Sequence, residues 1–518
     1  MKLNQLNDVN VKKEFEAKGY SLPQYDREAL KKATLEEPTW VHFGAGNIFR
    51  AFPAAVLQKI LNNGAYNKGI IVGEGFDYEI IDKAYTPYDS LSLLVTLKAD
   101  GSIEKSVIGS VVDALAVVDD EESAEWKKLC DIFAMPSLQM VSYTITEKGY
   151  SFFKNGIMEK TTKLLLKRFE AGAYPIAMVS MDNCSHNGDK LKAVVTGYAK
   201  QWVEEGSAPA EFLEFLEDST KVSFPWSMID KITPRPDAKV QEMLKADGFE
   251  DGELIITSKN TYTSAFVNAE EVQYLVIEDS FPNGRPPLEL GGIYFADRET
   301  VDKIEKMKVC TCLNPLHTAL AIYGCLLGHT LICEEMKDED LKNLVHRLGY
   351  VEGLPVVVDP KIIEPKTFID EVFYKRLPNP FMPDAPQRIA TDTSQKLPIR
   401  FGETLKAYKE RGLSMDELKA IPLVIAGYLR YLMGVDDEGK EFAPSSDPLL
   451  EELQGYVKNV KLGSALSNAD KENAAKLLAR KDVFAVDLNE IGLADRIIGL
   501  FEELVKGPGA VRKVIALL

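Results

Sequence analysis

Residues 40–73 carry a short apolar strand, a Gly-x-Gly turn, an apolar helix and a second strand, an order that few folds accommodate. Residues 40–43 read as a strand, and Gly44-Ala45-Gly46 follows at once. The stretch RAFPAAVLQKILNN, from Arg50, has helix-compatible apolar spacing, and a turn at Gly64 leads to the strand 69–73. One such βαβ unit opens a parallel sheet with a right-handed crossover. Glycines at this turn let backbone approach a pyrophosphate, and the free N–H groups of the following helix stabilise its charge. The third position of the usual fingerprint is Phe49 rather than glycine. Alone, G-x-G marks a plain turn as readily as a nucleotide site; its place between strand and helix favours the nucleotide. Glu74, at the end of the second strand, is placed to accept hydrogen bonds from ribose hydroxyls, which favours NAD over NADP. Asp77 is the alternative, and plain solvation of either acid is the bland one.

Further buried-strand candidates are 91–97, 140–145, 175–181 and 252–257, separated by charged, helix-compatible stretches. Beyond FPNGRPPLELGG the pattern turns helical, in DRETVDKIEKMK, DEDLKNLVHRLG, SMDELKAIPLVIAGYLRYLM and ADKENAAKLLARK. The expectation is an α/β fold: a Rossmann-like parallel-sheet domain over residues 1–290 and an all-helical domain over 291–518. The 518 residues suffice for two or three domains.

Composition narrows the function classes. With 79 acidic against 61 basic side chains the formal charge is −18, a field that repels nucleic acid and anionic membrane surfaces. The apolar run 311–333 resembles a membrane span but contains Asn314, Pro315, His317 and His329, which favours a buried helix. The first thirty residues lack the apolar core of a secretory signal, and the six cysteines fit a reducing compartment, so a cytoplasmic location is expected. Oligomeric state is not legible; a monomer or small homo-oligomer is expected.

The segment from Lys308 to His317 carries the strongest chemical hint. Asn314 reads as an N-cap and Pro315 as the first helical residue. His317 then sits in the first turn, where the helix dipole disfavours imidazolium and leaves a neutral partner for a hydroxyl. The competing readings are capping alone for Asn314 and a satisfied core histidine for His317. Cys310, Cys312 and His317 offer zinc donors, but C-x-C without a companion cluster argues against a metal. Arg388 and Lys396 lie in a Pro- and Thr-bearing stretch suited to binding hydroxyls or a carboxylate, or form an ordinary surface pair.

Together, HFGAGNIFRAF (42–52), TITEKGY (144–150), MDNCSHNG (181–188), DKITPRP (230–236), NPLH (314–317) and RIATDTSQKLPIR (388–400) resemble the polyol-specific long-chain dehydrogenases, over most of the chain and in the family's order. That family includes mannitol 2-dehydrogenase, fructuronate reductase and tagaturonate reductase. The resemblance implies an NAD-dependent, metal-independent oxidoreductase in which a lysine is the general base and the Asn and His of N-x-x-H hold the reacting oxygen. Asn314 and His317 match directly. The family's lysine lies five residues before the Asn, where this chain has Val309; Lys308 is one residue earlier, which a one-residue loop insertion would reconcile, and Lys306 is the reserve. Glu147 matches a glutamate near the active site that relays the proton. Asp230, followed by Lys231 where the family has Arg, and Asn183 and Asn187 match substrate-binding positions. Arg388 and Lys396 keep the family's separation, but Thr391 stands where mannitol dehydrogenases carry histidine. Gly44, Gly46, Asn47, Phe49, Arg50 and Glu74 are the candidate cofactor-binding residues. Because Arg388, Lys396 and Arg400 gather cations in an acidic protein, the expected reaction is interconversion of D-fructuronate and D-mannonate. Tagaturonate reduction or mannitol oxidation is the alternative, and a catalytically silent NAD-binding sensor is the alternative from another class.

Overall fold

A computed structural model describes residues 1–120 and 122–518. The chain divides into two compact units: Met1–Lys98 with Ser102–Asp302, and Ala99–Gly101 with Lys303–Leu518. The change of unit near residue 302 falls inside a helix that begins at Arg298, a little beyond the composition shift at 290.

The first unit is built on a six-stranded parallel sheet. Its strands are β1 (Trp40–Phe43), β2 (Ile70–Glu74), β3 (Val111–Ala116), β4 (Met140–Tyr143), β5 (Ile176–Ser180) and β6 (Val222–Ser223). They lie in the order β3-β2-β1-β4-β5-β6, with every neighbouring pair parallel. This is the doubly wound order in which the strand sequence reverses between β1 and β4, so a crevice opens beyond their carboxyl ends. β1, β2, β4 and β5 are buried on both faces, which explains their near-continuous apolar sequences.

Two strands of this sheet, β3 and β6, escape the sequence reading, and both are edges. β3 carries half-buried Asp113 and β6 is two residues long, so neither shows the apolar run of a central strand. Conversely, the expected strand 91–97 forms as Ser92–Leu97 but leaves the parallel sheet. Its short connection to Ile103–Ile108 makes an antiparallel hairpin within a separate four-stranded sheet. The expected buried strand 252–257 shrinks to Ile255–Ile256, paired antiparallel with Tyr262–Thr263, and Ile256 is exposed. A three-stranded sheet of Ser227–Asp230, Tyr274–Glu278 and Tyr294–Ala296 completes the unit.

After β1 the expected single helix is broken into α1 (Asn47–Ala51) and α2 (Pro53–Asn62). Pro53 lacks an N–H and can only start a helix, so the break falls at Phe52. Phe49, in place of the fingerprint's third glycine, packs flat on His42 of β1 with ring centroids 4.1 Å apart. His42 is held between the Ser142 and Thr144 hydroxyls, at 2.6 and 2.8 Å, and burial lowers its pKa to about 3. A neutral ring thus ties β1 to β4 beneath the glycine turn.

The second unit is helical. A continuous helical segment, Arg298–Leu327, is long and apolar enough to cross a membrane, but 78% of its most apolar stretch is buried inside the structure, as a core helix would be. It comprises α3 (Arg298–Met307), a π-helical stretch Lys308–Cys312, and α4 (Asn314–Leu327). Further π stretches lie at Arg347–Gly353, Val372–Arg376 and Pro398–Gly402. The buried helix Ala420–Leu432 packs on α4.

Glu335, ending α5 (Ile332–Glu335), is fully buried against Gly324, and neither carboxyl oxygen has a hydrogen-bond partner. Burial, reinforced by Asp338, raises its pKa well above the usual carboxylate value. A folded-state pKa above the unfolded one means the native state holds the extra proton, so this contribution is complete below the unfolded pKa and lost as pH rises towards the folded one. Glu335→Gln removes that titration. Thermal unfolding is therefore expected to show the mutant gaining on the wild type as pH rises from about 5 to about 9, by at most about 1.4 kcal/mol per pH unit. Parallel pH profiles would contradict the burial of an ionisable carboxyl there.

Candidate active site

In the first unit, Gly44 adopts φ +107°, and a Cβ there would lie 2.2 Å from the Thr144 carbonyl oxygen. Gly46 has ordinary φ and its Cβ position faces open space. The first glycine thus makes the turn, and the second leaves room for an approaching phosphate. The Glu74 carboxylate is almost fully enclosed. Its Oε2 accepts from Ala45 N at 2.9 Å, and its Oε1 accepts from Phe76 N and Asp77 N at 2.9 and 3.1 Å. Burial raises its pKa despite these three donors. Glu74 therefore fixes the turns after β1 and β2 to each other rather than projecting from the strand end.

Arg50 is wholly buried and donates to Ser264 O at 2.7 Å, Asn47 Oδ1 at 2.9 Å and Thr263 Oγ1 at 3.0 Å. Asn47 also donates to Tyr262 O at 3.2 Å. Both residues bind the glycine turn to the hairpin at 255–263. Asn47 stays partly accessible, whereas the Arg50 guanidinium is enclosed.

At the carboxyl end of β5, Asp182 organises the TITEKGY loop. Its carboxylate accepts from Ile145 N and Thr146 N, each at 2.9 Å, and from Tyr150 Oη at 2.6 Å. Thr146 is held at φ +64°, costly for a β-branched residue and paid for by these bonds. Sequence reasoning missed Asp182, although it stands inside the MDNCSHNG motif. Glu147 is exposed and ion-paired with Lys190. Asn183 is exposed, and Asp230 is buried at the end of its strand. Asn187 is fully buried: its Nδ2 donates to Asp182 O, Ser227 O and Ser227 Oγ, and its Oδ1 accepts from Ser227 N. Its amide is spent inside the scaffold, which departs from the expected substrate contact.

In the second unit a π-helical stretch carries Lys308. Leu313 N donates to Lys308 O at 3.1 Å, an i to i+5 bond that takes in one more residue than an α turn. The stretch between Lys308 and Asn314 is therefore helical, where the sequence reading placed a loop. Lys308 is buried, whereas Lys306 is exposed. α4 then starts with Leu313 as N-cap, Asn314 first and Pro315 second, one residue earlier than expected. Leu313 has no capping group, so the Asn314 side chain is not the cap.

His317, in the first turn of α4, has an Nε2 that is buried and has no hydrogen-bond partner. Asp384 Oδ2 lies 3.9 Å away, beyond hydrogen-bonding distance. Burial lowers the His317 pKa to about 4; Asp384 opposes this, while Arg376, Arg400 and Arg388 reinforce it. The ring is neutral near pH 7. Arg400 donates to Thr318 Oγ1 at 2.5 Å, and burial lowers its pKa to about 10. Arg388 is largely exposed and ion-paired with Asp384. Lys396 donates to the carbonyls of Ile389, at 2.9 Å, and Thr391, so its ammonium shapes the backbone of its own motif. Burial and Arg400 lower its pKa. Arg376 and Asp384 carried no sequence signal: each meets His317 only through folding across some sixty residues or more of chain. Cys312 is buried with its thiol donating towards Pro365 O at 3.8 Å, and burial raises its pKa. Among the described residues, no group of three His, Cys, Asp or Glu side chains is placed to hold a metal ion.

A doubly wound sheet with a phosphate-accommodating glycine turn, followed by a helical unit carrying a buried lysine and a neutral histidine, defines a dehydrogenase-type architecture. Two family models match the chain: residues 38–290 match the mannitol dehydrogenase Rossmann domain and residues 300–505 the mannitol dehydrogenase C-terminal domain. The chain is 51% identical to a D-mannonate oxidoreductase of Thermotoga maritima, over 99% of this chain and 98% of that protein. It is 29% identical to a polyol:NADP oxidoreductase of Gluconobacter oxydans, over 92% of this chain and 94% of that one. A D-sorbitol dehydrogenase structure shares the fold, with TM-score 0.77 at 24% identity, covering 96% of this chain and 97% of the other. The chain belongs to the mannitol dehydrogenase family.

The two glycines make separable predictions. Gly44→Ala meets both positive φ and the Thr144 carbonyl, and is expected to cost at least about 2 kcal/mol of stability. Gly46→Ala is expected to keep the wild-type melting temperature while weakening dinucleotide binding by about tenfold or more, measured by calorimetric titration. Unchanged binding in Gly46→Ala would contradict the phosphate reading of the turn.

Proposed function

We propose that this protein is an NAD-dependent oxidoreductase interconverting D-mannonate and D-fructuronate. The observation that carries the reading is the 51% identity to a D-mannonate oxidoreductase along nearly the whole of both chains. The guanidinium groups of Arg376, Arg388 and Arg400 about His317 support an acid rather than a neutral polyol, because they suit a carboxylate. The open Cβ space at Gly46 and the reversal of strand order between β1 and β4 fit a dinucleotide, whose bound nicotinamide accepts or returns the hydride.

Lys308 removes the hydroxyl proton of the reacting carbon, and in the reductive direction returns it to the new alkoxide. Asn314 and the unpartnered Nε2 of His317 hold the reacting oxygen. A neutral imidazole suits this role, since an imidazolium there would add to the repulsion from three guanidiniums. Asn183 and Asp230 are assigned to the remaining hydroxyls on the strength of their motifs. Asn187 and Lys396 act as positioning residues, because their polar atoms already serve the backbone. Glu147, exposed beside Lys190, is assigned proton exchange with solvent. Arg388 closes on Asp384 and thereby sets the acid that faces His317.

The test is loss of NADH absorbance with D-fructuronate, D-tagaturonate and D-fructose in parallel, for wild type, Lys308→Ala and Lys306→Ala. Fructuronate is expected to turn over fastest, and Lys308→Ala to lower kcat by about 10²–10⁴ while Lys306→Ala stays near wild type. Preference for fructose would transfer the activity to mannitol oxidation. Silence on all three substrates with NADH still bound would make the chain a sensor.

A further inference from the structure

The hairpin at 255–263 spans the two turns that border the coenzyme end of the first sheet. At its base Tyr262 and Thr263 bond Asn47 and Arg50, in the turn and helix after β1. At its tip Thr257 Oγ1 donates to Asp77 Oδ2 at 2.6 Å, Ser258 N donates to Glu79 Oε1 at 3.1 Å, and Lys259 Nζ donates to Phe76 O. The Lys259 ammonium also rests on the Phe76 ring, 4.1 Å from its centroid. Phe76 is 68% exposed, an unusual state for a phenylalanine two residues past a central strand.

In the doubly wound fold, the loop after this second strand lies beside the adenosine ribose. An acid there selects NAD by bonding the 2′-hydroxyl and repelling a 2′-phosphate, whereas a nearby cation accepts that phosphate. Here both acids at that position are committed elsewhere. Glu74 is enclosed by three backbone N–H groups, and Asp77 is buried beneath Thr257. Glu79, the remaining acid of the loop, is tied to Ser258 and Lys83. The exposed groups left are a cation and an aromatic face, which match a phosphate and a purine.

We propose that Lys259, seated on Phe76, is a specificity-determining residue that accepts the 2′-phosphate of NADP(H), so that the chain binds both nicotinamide coenzymes. The inference rests on the dinucleotide reading of the first unit given above. Phe76 supplies a stacking face common to both coenzymes, and Lys259 supplies the charge that only the phosphorylated one uses.

Calorimetric titration of the full chain with NADH and with NADPH tests this without turnover. The wild type is expected to bind the two within about tenfold of each other, with the NADPH affinity falling more steeply as salt is raised. Lys259→Glu is expected to shift the NADPH-to-NADH affinity ratio towards NADH by about tenfold or more, and Phe76→Ala to weaken both coenzymes. NADPH binding more than about tenfold weaker than NADH in the wild type overturns the proposal, as does an unchanged ratio in Lys259→Glu. Absence of binding by either coenzyme overturns the dinucleotide reading itself, and the proposal with it.

Discussion

The i to i+5 bond from Leu313 N to Lys308 O is the constraint on which the proposed chemistry of the second unit depends. It inserts one residue into a helix without ending it, so Lys308 is turned into the protein while the apolar α4 continues in register with its neighbours. α4 in turn places Asn314 and His317 one turn apart at its start. Two other π stretches carry Arg376 and Arg400, the cations whose fields reach His317. Wide turns of this kind leave backbone groups less regularly bonded than an α-helix does, and are found where function has displaced the optimum. The neutral His317 is the electrostatic outcome: desolvation and three guanidiniums outweigh the single carboxylate of Asp384.

The first unit solves a different problem, that of fixing glycine-rich turns at the ends of buried strands. It does so with enclosed polar side chains that bond backbone. Glu74 joins the turns after β1 and β2, Asp182 fixes the loop after β4, and Asn187 ties the end of β5 to Ser227. His42, stacked on Phe49 and held by two hydroxyls, performs the same service beneath α1. Each group is desolvated and therefore costly unless fully bonded, so these contacts specify one arrangement of the turns.

The central strands, the Gly-x-Gly turn and the helical half were legible because apolar period and breaker residues are local signals. β3 and β6 were not, since edge strands tolerate a polar Asp113 or a length of two residues. The helix start at Asn314 and His317 could be read, but not the π turn that carries Lys308: a change of hydrogen-bond register leaves no mark in a single sequence. Glu74 was visible as an acid at a strand end, yet the direction of its carboxylate depends on backbone amides that only the folded turns supply. Arg376 and Asp384 were invisible for the simplest reason, that their nearness to His317 is wholly tertiary.

The most direct test of this account is the protonation state of His317, followed by NMR of labelled histidine side chains, with His317→Asn used to assign the signal among the five histidines. The expected result is a ring that remains neutral near pH 7, its pKa lowered to about 4 by burial and the surrounding guanidiniums. A ring that titrates near the ordinary value of about 6.5 would mean that His317 is solvated and that the site is not built as described here.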